Sequence, residues 1–136
     1  MPVLIVDDNI VLLQKMARSI TRYGYEVSTA IGIRQAREIL RTEKITAVCL
    51  DLQLPDGHGL DLLEELRAET PDLPVIIMSG ANTPEHRDRS GYLGVTAFLT
   101  KPFALSHLYT VLEGLSPVFQ RCAGRETAPT LSLSRS

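Results

Sequence analysis

Two hydrophobic rhythms alternate along the chain. Short apolar runs at residues 3–6, 26–30, 47–50, 75–78 and 96–99 are rich in β-branched residues, and longer stretches between them repeat apolar residues at helical spacing. That alternation predicts a five-stranded parallel sheet covered by helices. The first, third, fourth and fifth runs are almost unbroken in hydrophobicity, which predicts central or doubly buried strands. Glu26-Val27-Ser28-Thr29-Ala30 mixes polar and apolar residues and suits a strand at the sheet edge. A first helix is marked by Ile10, Leu13, Ala17 and Ile20, with Asp8 and Asn9 as capping candidates and Gly24 where a helix would stop. Ile33, Ala36, Ile39 and Leu40 mark a second, Leu60, Leu63 and Leu66 a third, and Leu105, Leu108, Val111, Leu112 and Leu115 a fifth. The fourth, within residues 84–93, has a Pro suited to a first turn but Gly91 inside and almost no apolar stripe, so a short or loosely held helix is expected.

After Leu115 the pattern fails. Ser116-Pro117 breaks the helix, and the remainder is rich in Ser, Thr, Pro and Gly. A domain of residues 1–116 followed by a tail or cut linker, residues 117–136, is the expected organisation. The whole length of 136 residues, with 44% hydrophobic and 22% charged residues, fits one folded domain and excludes disorder throughout. A formal charge of -2 gives no bulk attraction to nucleic acid or to an anionic membrane. The apolar runs are too short for a signal sequence or a membrane span, so a cytoplasmic location is expected. Cys49 and Cys122 form no disulfide framework, and His58, His86 and His107 share no ligand-like spacing, so neither set is assigned a role.

In an open α/β sheet, ligands bind beyond the carboxyl ends of the strands. After the first run come Asp7 and Asp8, after the third Asp51, after the fourth Ser79 and after the fifth Lys101. Parallel strands would bring three carboxylates, a hydroxyl and an ammonium to one rim. Crowded carboxylates repel one another, and a hard divalent cation with oxygen ligands relieves that repulsion, so a Mg²⁺ site is implied. The ammonium and hydroxyl suit an anion bridging to the metal, and phosphoryl oxygens fit that description. No GxxxxGK[ST] or GxGxxG loop is present, which argues against a nucleotide cofactor. An Asp beside Mg²⁺ can itself accept a phosphoryl group as an acyl phosphate. Any one of these residues alone would be read as a helix cap or a surface charge; the combination is what carries weight.

Val6-Asp7-Asp8, Asp51 within Cys49-Leu50-Asp51-Leu52-Gln53-Leu54-Pro55-Asp56-Gly57, Met78-Ser79-Gly80-Ala81, and Phe98-Leu99-Thr100-Lys101-Pro102-Phe103 stand in one order and spacing. Together they resemble the receiver domain of bacterial response regulators, and the likeness covers residues 1 to about 116. It implies a doubly wound, flavodoxin-like (βα)5 fold with strand order 2-1-3-4-5 and helices on both faces. It also implies that Asp51 is the phosphoacceptor, supplied by a sensor histidine kinase or a histidine phosphotransfer protein. Asp8, Asp51 and the backbone carbonyl of Gln53 would bind Mg²⁺, with Asp7 assisting directly or through water. Lys101 would pair with the phosphoryl group, and the bond before Pro102 would be cis. Ser79 would donate its hydroxyl to the modified Asp51 while Phe98 turns inward, switching a partner-binding face toward a downstream effector. The resemblance leaves room for a phosphorylation-dependent dimer, and this domain would act as a signalling module without touching nucleic acid or membrane.

Position 98 is Phe where many members have Tyr, so a packing switch survives but a hydroxyl contact does not. The polar run Glu85-His86-Arg87-Asp88-Arg89 departs from the usual partner face, so no partner is carried over. Two other readings stay open on the residues alone. One is a small phosphatase of the haloacid dehalogenase type, which places a second Asp two positions after its nucleophile; here Asn9 follows Asp7 and Ile10 follows Asp8 at that distance. The other is a binding module that keeps the fold without being phosphorylated.

Overall fold

A computed structural model describes residues 2–80 and 94–115. The expected fourth helix, residues 84–93, and the expected tail, residues 117–136, lie outside the described residues. In chain order the elements are β1 (Pro2–Val6), α1 (Ile10–Arg22), β2 (Glu26–Ala30), α2 (Ile33–Thr42), β3 (Ala47–Asp51), β4 (Gln53–Leu54), β5 (Gly57–His58), α3 (Gly59–Glu69), β6 (Val75–Ser79), β7 (Ala97–Thr100) and α4 (Leu105–Leu115). Five strands form one parallel sheet in the order β2-β1-β3-β6-β7, while β4 and β5 form a separate two-stranded hairpin. This is the doubly wound, flavodoxin-like arrangement expected from the sequence.

The sheet and α1 to α3 lie in a unit spanning Met1–Pro102. Side chains alternate across its strands. Leu4, Val6, Val48, Leu50, Val75 and Ile77 join Ile33 and Ala36 of α2 and Leu60, Leu62, Leu63 and Leu66 of α3 in one buried cluster. The intervening residues Val3, Ile5, Cys49, Ile76 and Met78 point to the opposite face and are equally buried. Leu13, Met16 and Ile20 are the buried stripe of α1, which packs on β1 and β2. Each such Leu or Ile, wholly removed from water, contributes roughly 2 kcal/mol.

Local chemistry sets the helix ends. The Asn9 side chain accepts from the Leu12 N–H at 3.2 Å, so Asn9 rather than Asp8 is the cap of α1. Gly24, at φ +96°, takes the left-handed conformation just past that helix. A second unit begins at Phe103 and contains α4, in which Leu108 and Leu112, one turn apart, are buried.

The structure corrects the expected burial twice. β7 is an edge strand, with only Leu99 fully buried and Thr100 exposed, although its apolar run predicted a central or doubly buried strand. It is the last strand laid down on that side, so it has a single neighbour, and its Phe98 is half-buried against the cluster. Ile10, placed in the buried stripe of the first helix by its spacing, is 55% exposed because it opens the helix at the rim of the sheet. Of the β4–β5 hairpin, only the turn chemistry at Pro55-Asp56-Gly57 is legible in the sequence.

Candidate functional site

Strand register builds the site. Val6 lies opposite Leu50 and Asp51 opposite Met78, so the residue after Val6, Asp7, falls beside Asp51. The Asp7 N–H donates to the Ala30 carbonyl at 3.0 Å, carrying the β1–β2 ladder one residue past the strand. On the other side, Ser79 lies opposite Thr100, and the Lys101 N–H donates to the Ser79 carbonyl at 2.8 Å. The ladder therefore delivers Lys101 to the same rim as the two aspartates. The Lys101–Pro102 peptide bond is cis.

Lys101 Nζ donates to Asp7 Oδ2 at 2.7 Å and to Asp51 Oδ2 at 3.3 Å. Asp7 is fully buried, and its other oxygen, Oδ1, accepts from the Asn9 N–H at 2.8 Å. Asp51 Oδ1 accepts from the Gln53 N–H at 3.3 Å. Asp8 is exposed, and one carboxylate oxygen each from Asp7, Asp8 and Asp51 lie within 4.8 Å of one another. Ser79 is fully buried at the end of β6, and Phe98 is half-buried in β7.

Among the described residues, three carboxylates face one ammonium. Burial pushes the Asp51 carboxyl above the usual carboxylate range and Asp7 adds to this, against the opposing pull of Lys101 and the Gln53 N–H. Partial burial works against the charge on Lys101, but its hydrogen bond to Asp7 and the charges of Asp51 and Asp7 outweigh that, holding the ammonium above its ordinary value. Lys101 is thus a firm cation that leaves the cluster negative. Two unit charges 4 Å apart interact by roughly 4 kcal/mol at a surface-like effective dielectric, so a hard divalent cation among these oxygens would relieve a substantial repulsion. The donor set suits such an ion: carboxylates only, one of them open to solvent. Two residues from this rim, Cys49 lies buried in β3, its thiol pushed up to about 12 by burial, which leaves it an inert core residue.

Residues 3–113 match the family described as the response regulator receiver domain. The chain belongs to that family. This decides between the phosphotransfer readings left open by the residues, in favour of the receiver and against the haloacid dehalogenase type. The receiver is 34% identical over 113 residues to the probable transcriptional regulatory protein TcrX of Mycobacterium tuberculosis, covering 83% of this chain and 48% of that protein. It thus spans about half the length of the curated relatives it matches. Among solved structures it resembles the non-phosphorylated HemR receiver domain of Leptospira biflexa, at 32% identity and a TM-score of 0.79, over 84% of this chain and 92% of that one. It also resembles a response regulator of Burkholderia pseudomallei solved with a phosphorylated aspartic acid, a calcium ion and citrate. That likeness has 25% identity and a TM-score of 0.75, over 93% of this chain and 72% of that one.

Asp7, Asp8, Asp51 and Lys101 are thus brought together, with Gln53 joined to Asp51 through its N–H. Two residues left without a role in the sequence hold the neighbouring loop in place. His58 caps α3, its Nδ1 accepting from the Leu60 N–H at 3.1 Å. Asp56 accepts from the Ile33 and Arg34 N–H groups at 2.8 and 2.9 Å. The signal for His58 was its place just before a leucine stripe; for Asp56 there was none, since its partners are more than twenty residues away in sequence.

Among the described residues no helix is long and apolar enough to cross a membrane.

Proposed function

We propose that this receiver domain accepts a phosphoryl group on Asp51 from a phosphohistidine of a sensor kinase or phosphotransfer protein, and that the modification switches a face read by a downstream effector. The observation that carries this is the meeting of Asp7, Asp8 and Asp51 in one acidic cluster, with Lys101 Nζ 3.3 Å from the carboxylate of Asp51. The phosphorylated aspartic acid and calcium ion of the Burkholderia pseudomallei relative support it.

Asp8, Asp51 and the Gln53 carbonyl would hold Mg²⁺, with Asp7 assisting directly or through water. When bound, the ion neutralises charge developing on the phosphoryl oxygens. An Asp51 oxygen attacks phosphorus, the P–N bond of the phosphoimidazole breaks, and its electron pair stays on the imidazole nitrogen, which takes up a proton. Lys101, already between Asp7 and Asp51, pairs with the transferred group. That group adds roughly -1.5 to -2 charges and new acceptor oxygens beside buried Ser79. The Ser79 hydroxyl donates to one of them, and Phe98 turns inward. Residues 1–116 form the receiver and residues 117–136 a tail or linker, all acting in the cytoplasm; a dimer on phosphorylation is one form the output can take.

Intact-protein mass after incubation with acetyl phosphate or phosphoramidate tests this. A Mg²⁺-dependent gain of one phosphoryl group, absent in Asp51→Asn, is expected. No gain with Mg²⁺ present would make the domain a binding module that keeps the fold without phosphorylation, and an undiminished gain in Asp51→Asn would place the acceptor elsewhere.

A further inference from the structure

We propose that Asp56 is a positioning residue for the phosphoacceptor loop: by tying the tip of the β4–β5 hairpin to the N-terminus of α2, it fixes the backbone at Gln53 beside Asp51. The inference rests on the reading of Asp51 and Gln53 given above, and it adds a residue 23 positions from its partner Ile33 to the machinery.

The hairpin is minimal. Gln53 pairs with His58 and Leu54 with Gly57, leaving Pro55 and Asp56 as a two-residue turn. Two residues per strand cannot hold such a hairpin by themselves, so its position depends on what anchors it. At its base, Leu52 is fully buried and its carbonyl accepts from the Gly59 N–H at 2.7 Å. A Cβ at Gly59 would collide with the carbonyl oxygen of Asp51, so the chain leaving the hairpin runs hard against the acceptor residue.

The tip is held by Asp56. Helix α2 begins after Gly32, which has no side chain with which to cap it, so the first N–H groups of the helix need an acceptor from elsewhere. Asp56 supplies both oxygens, Oδ1 to the Ile33 N–H at 2.8 Å and Oδ2 to the Arg34 N–H at 2.9 Å. Its carboxyl lies below the usual carboxylate range because of the Arg34 and Ile33 N–H groups, which agrees with an anion seated on a helix N-terminus. The fit is close. A Cβ at Gly32 would lie 2.8 Å from Asp56 Oδ1, and one at Gly57 would lie 2.7 Å from Cδ1 of Ile33. Gln53 therefore sits in a short segment anchored at base and tip, and its N–H reaches the Asp51 carboxylate. Groups that orient a metal's ligands typically change metal affinity 10–100-fold when removed.

The test is Mg²⁺ titration of the full chain, followed by NMR amide shifts, for wild type, Asp56→Ala, Asp56→Asn and Gly32→Ala, at a temperature where circular dichroism shows each folded. Asp56→Ala is expected to weaken Mg²⁺ binding about tenfold. Asp56→Asn keeps one acceptor oxygen and should lose less. Gly32→Ala crowds the carboxylate without removing it, in an extended backbone that any residue can adopt, and should resemble Asp56→Ala. Without Mg²⁺, the Gln53 and Gly59 amide signals should already shift in the variants. Wild-type Mg²⁺ affinity in all three variants, with only a lower melting temperature, would reduce Asp56 to a helix cap and overturn the inference while leaving the site reading intact. If wild type binds no Mg²⁺, or Asp51→Asn binds it equally well, the site reading itself fails and takes this inference with it. Should Asp56→Ala not fold, the other two variants decide by the same criterion.

Discussion

Two assemblies of charge in this molecule look alike on paper and differ in kind. On the outer surface, Arg37 of α2 grips both carboxylate oxygens of Glu65 of α3, each side chain about half exposed, at 52% and 43%. At the strand rim, Lys101 grips Asp7 and Asp51, with Asp7 at 0% exposure and a third carboxylate beside them. The first is balanced and solvated; the second is largely buried and, among the described residues, short of positive charge. Water and side-chain entropy take back most of what an exposed pair gains, so it adds little to stability. A buried, unbalanced cluster costs stability until something else binds, which is why such clusters mark sites.

Removing Lys101 should show this contrast most strongly. Lys101→Met leaves the wholly buried Asp7 carboxylate without its counter-charge and should cost about 3 kcal/mol in urea denaturation without metal. Millimolar Mg²⁺ should recover part of that loss. If it recovers none, the aspartates do not form a cation site.

Asp51→Asn should move stability the other way. The folded state raises the Asp51 pKa chiefly by burial, so the native protein holds that proton more tightly than the unfolded chain does. Stability therefore falls as pH rises from about 4, the unfolded value, through the folded pKa, and the deficit persists at neutral pH. Replacing the ionised carboxylate by an amide of the same shape should raise the urea midpoint at pH 7 in metal-free buffer, and the gain should vanish below about pH 4. A lower midpoint at pH 7 would show that Lys101 more than offsets the burial.

The smallest effect belongs to the surface pair. Arg37→Ala should shift the melting temperature by roughly 2 °C or less. Its signature is in acid. The hydrogen bond from Arg37 holds the Glu65 carboxyl below the usual range, so the pair's contribution is present above the unfolded value of about 4.3 and is lost as pH falls through the folded pKa. The variant should lack that part of the acid transition. A loss as large as that of Lys101→Met would erase the distinction between the two assemblies.

Much of the site was legible because a parallel sheet converts sequence pattern into position. Each apolar run ends at the same rim, so the polar residues just after residues 6, 50, 78 and 99 had to gather there once the strands paired in parallel. The same logic gave the strand at residues 26–30 its edge position, since a polar side chain on a covered face would lose its water. It failed for β7 because an apolar run does not say how many neighbours a strand has, and this strand, laid down last on its side, pairs with β6 alone among the described strands and stays partly uncovered. Ile10 is exposed despite its place in the stripe because helical spacing identifies a stripe without saying how far along the helix the covering sheet extends.

Local periodicity and the common direction of the strands already dictate the alternation of strands and helices, the parallel sheet, and the acidic and basic residues assembled at its rim. It takes the packed fold to show that Lys101 reaches both Asp7 and Asp51, that the segment after Asp51 closes into a hairpin, and that Asp56 holds that hairpin to α2. The contacts of Lys101 and Asp56 join residues 22 to 94 positions apart, at distances set by how whole elements pack, and no local pattern in a chain encodes an interval of that kind.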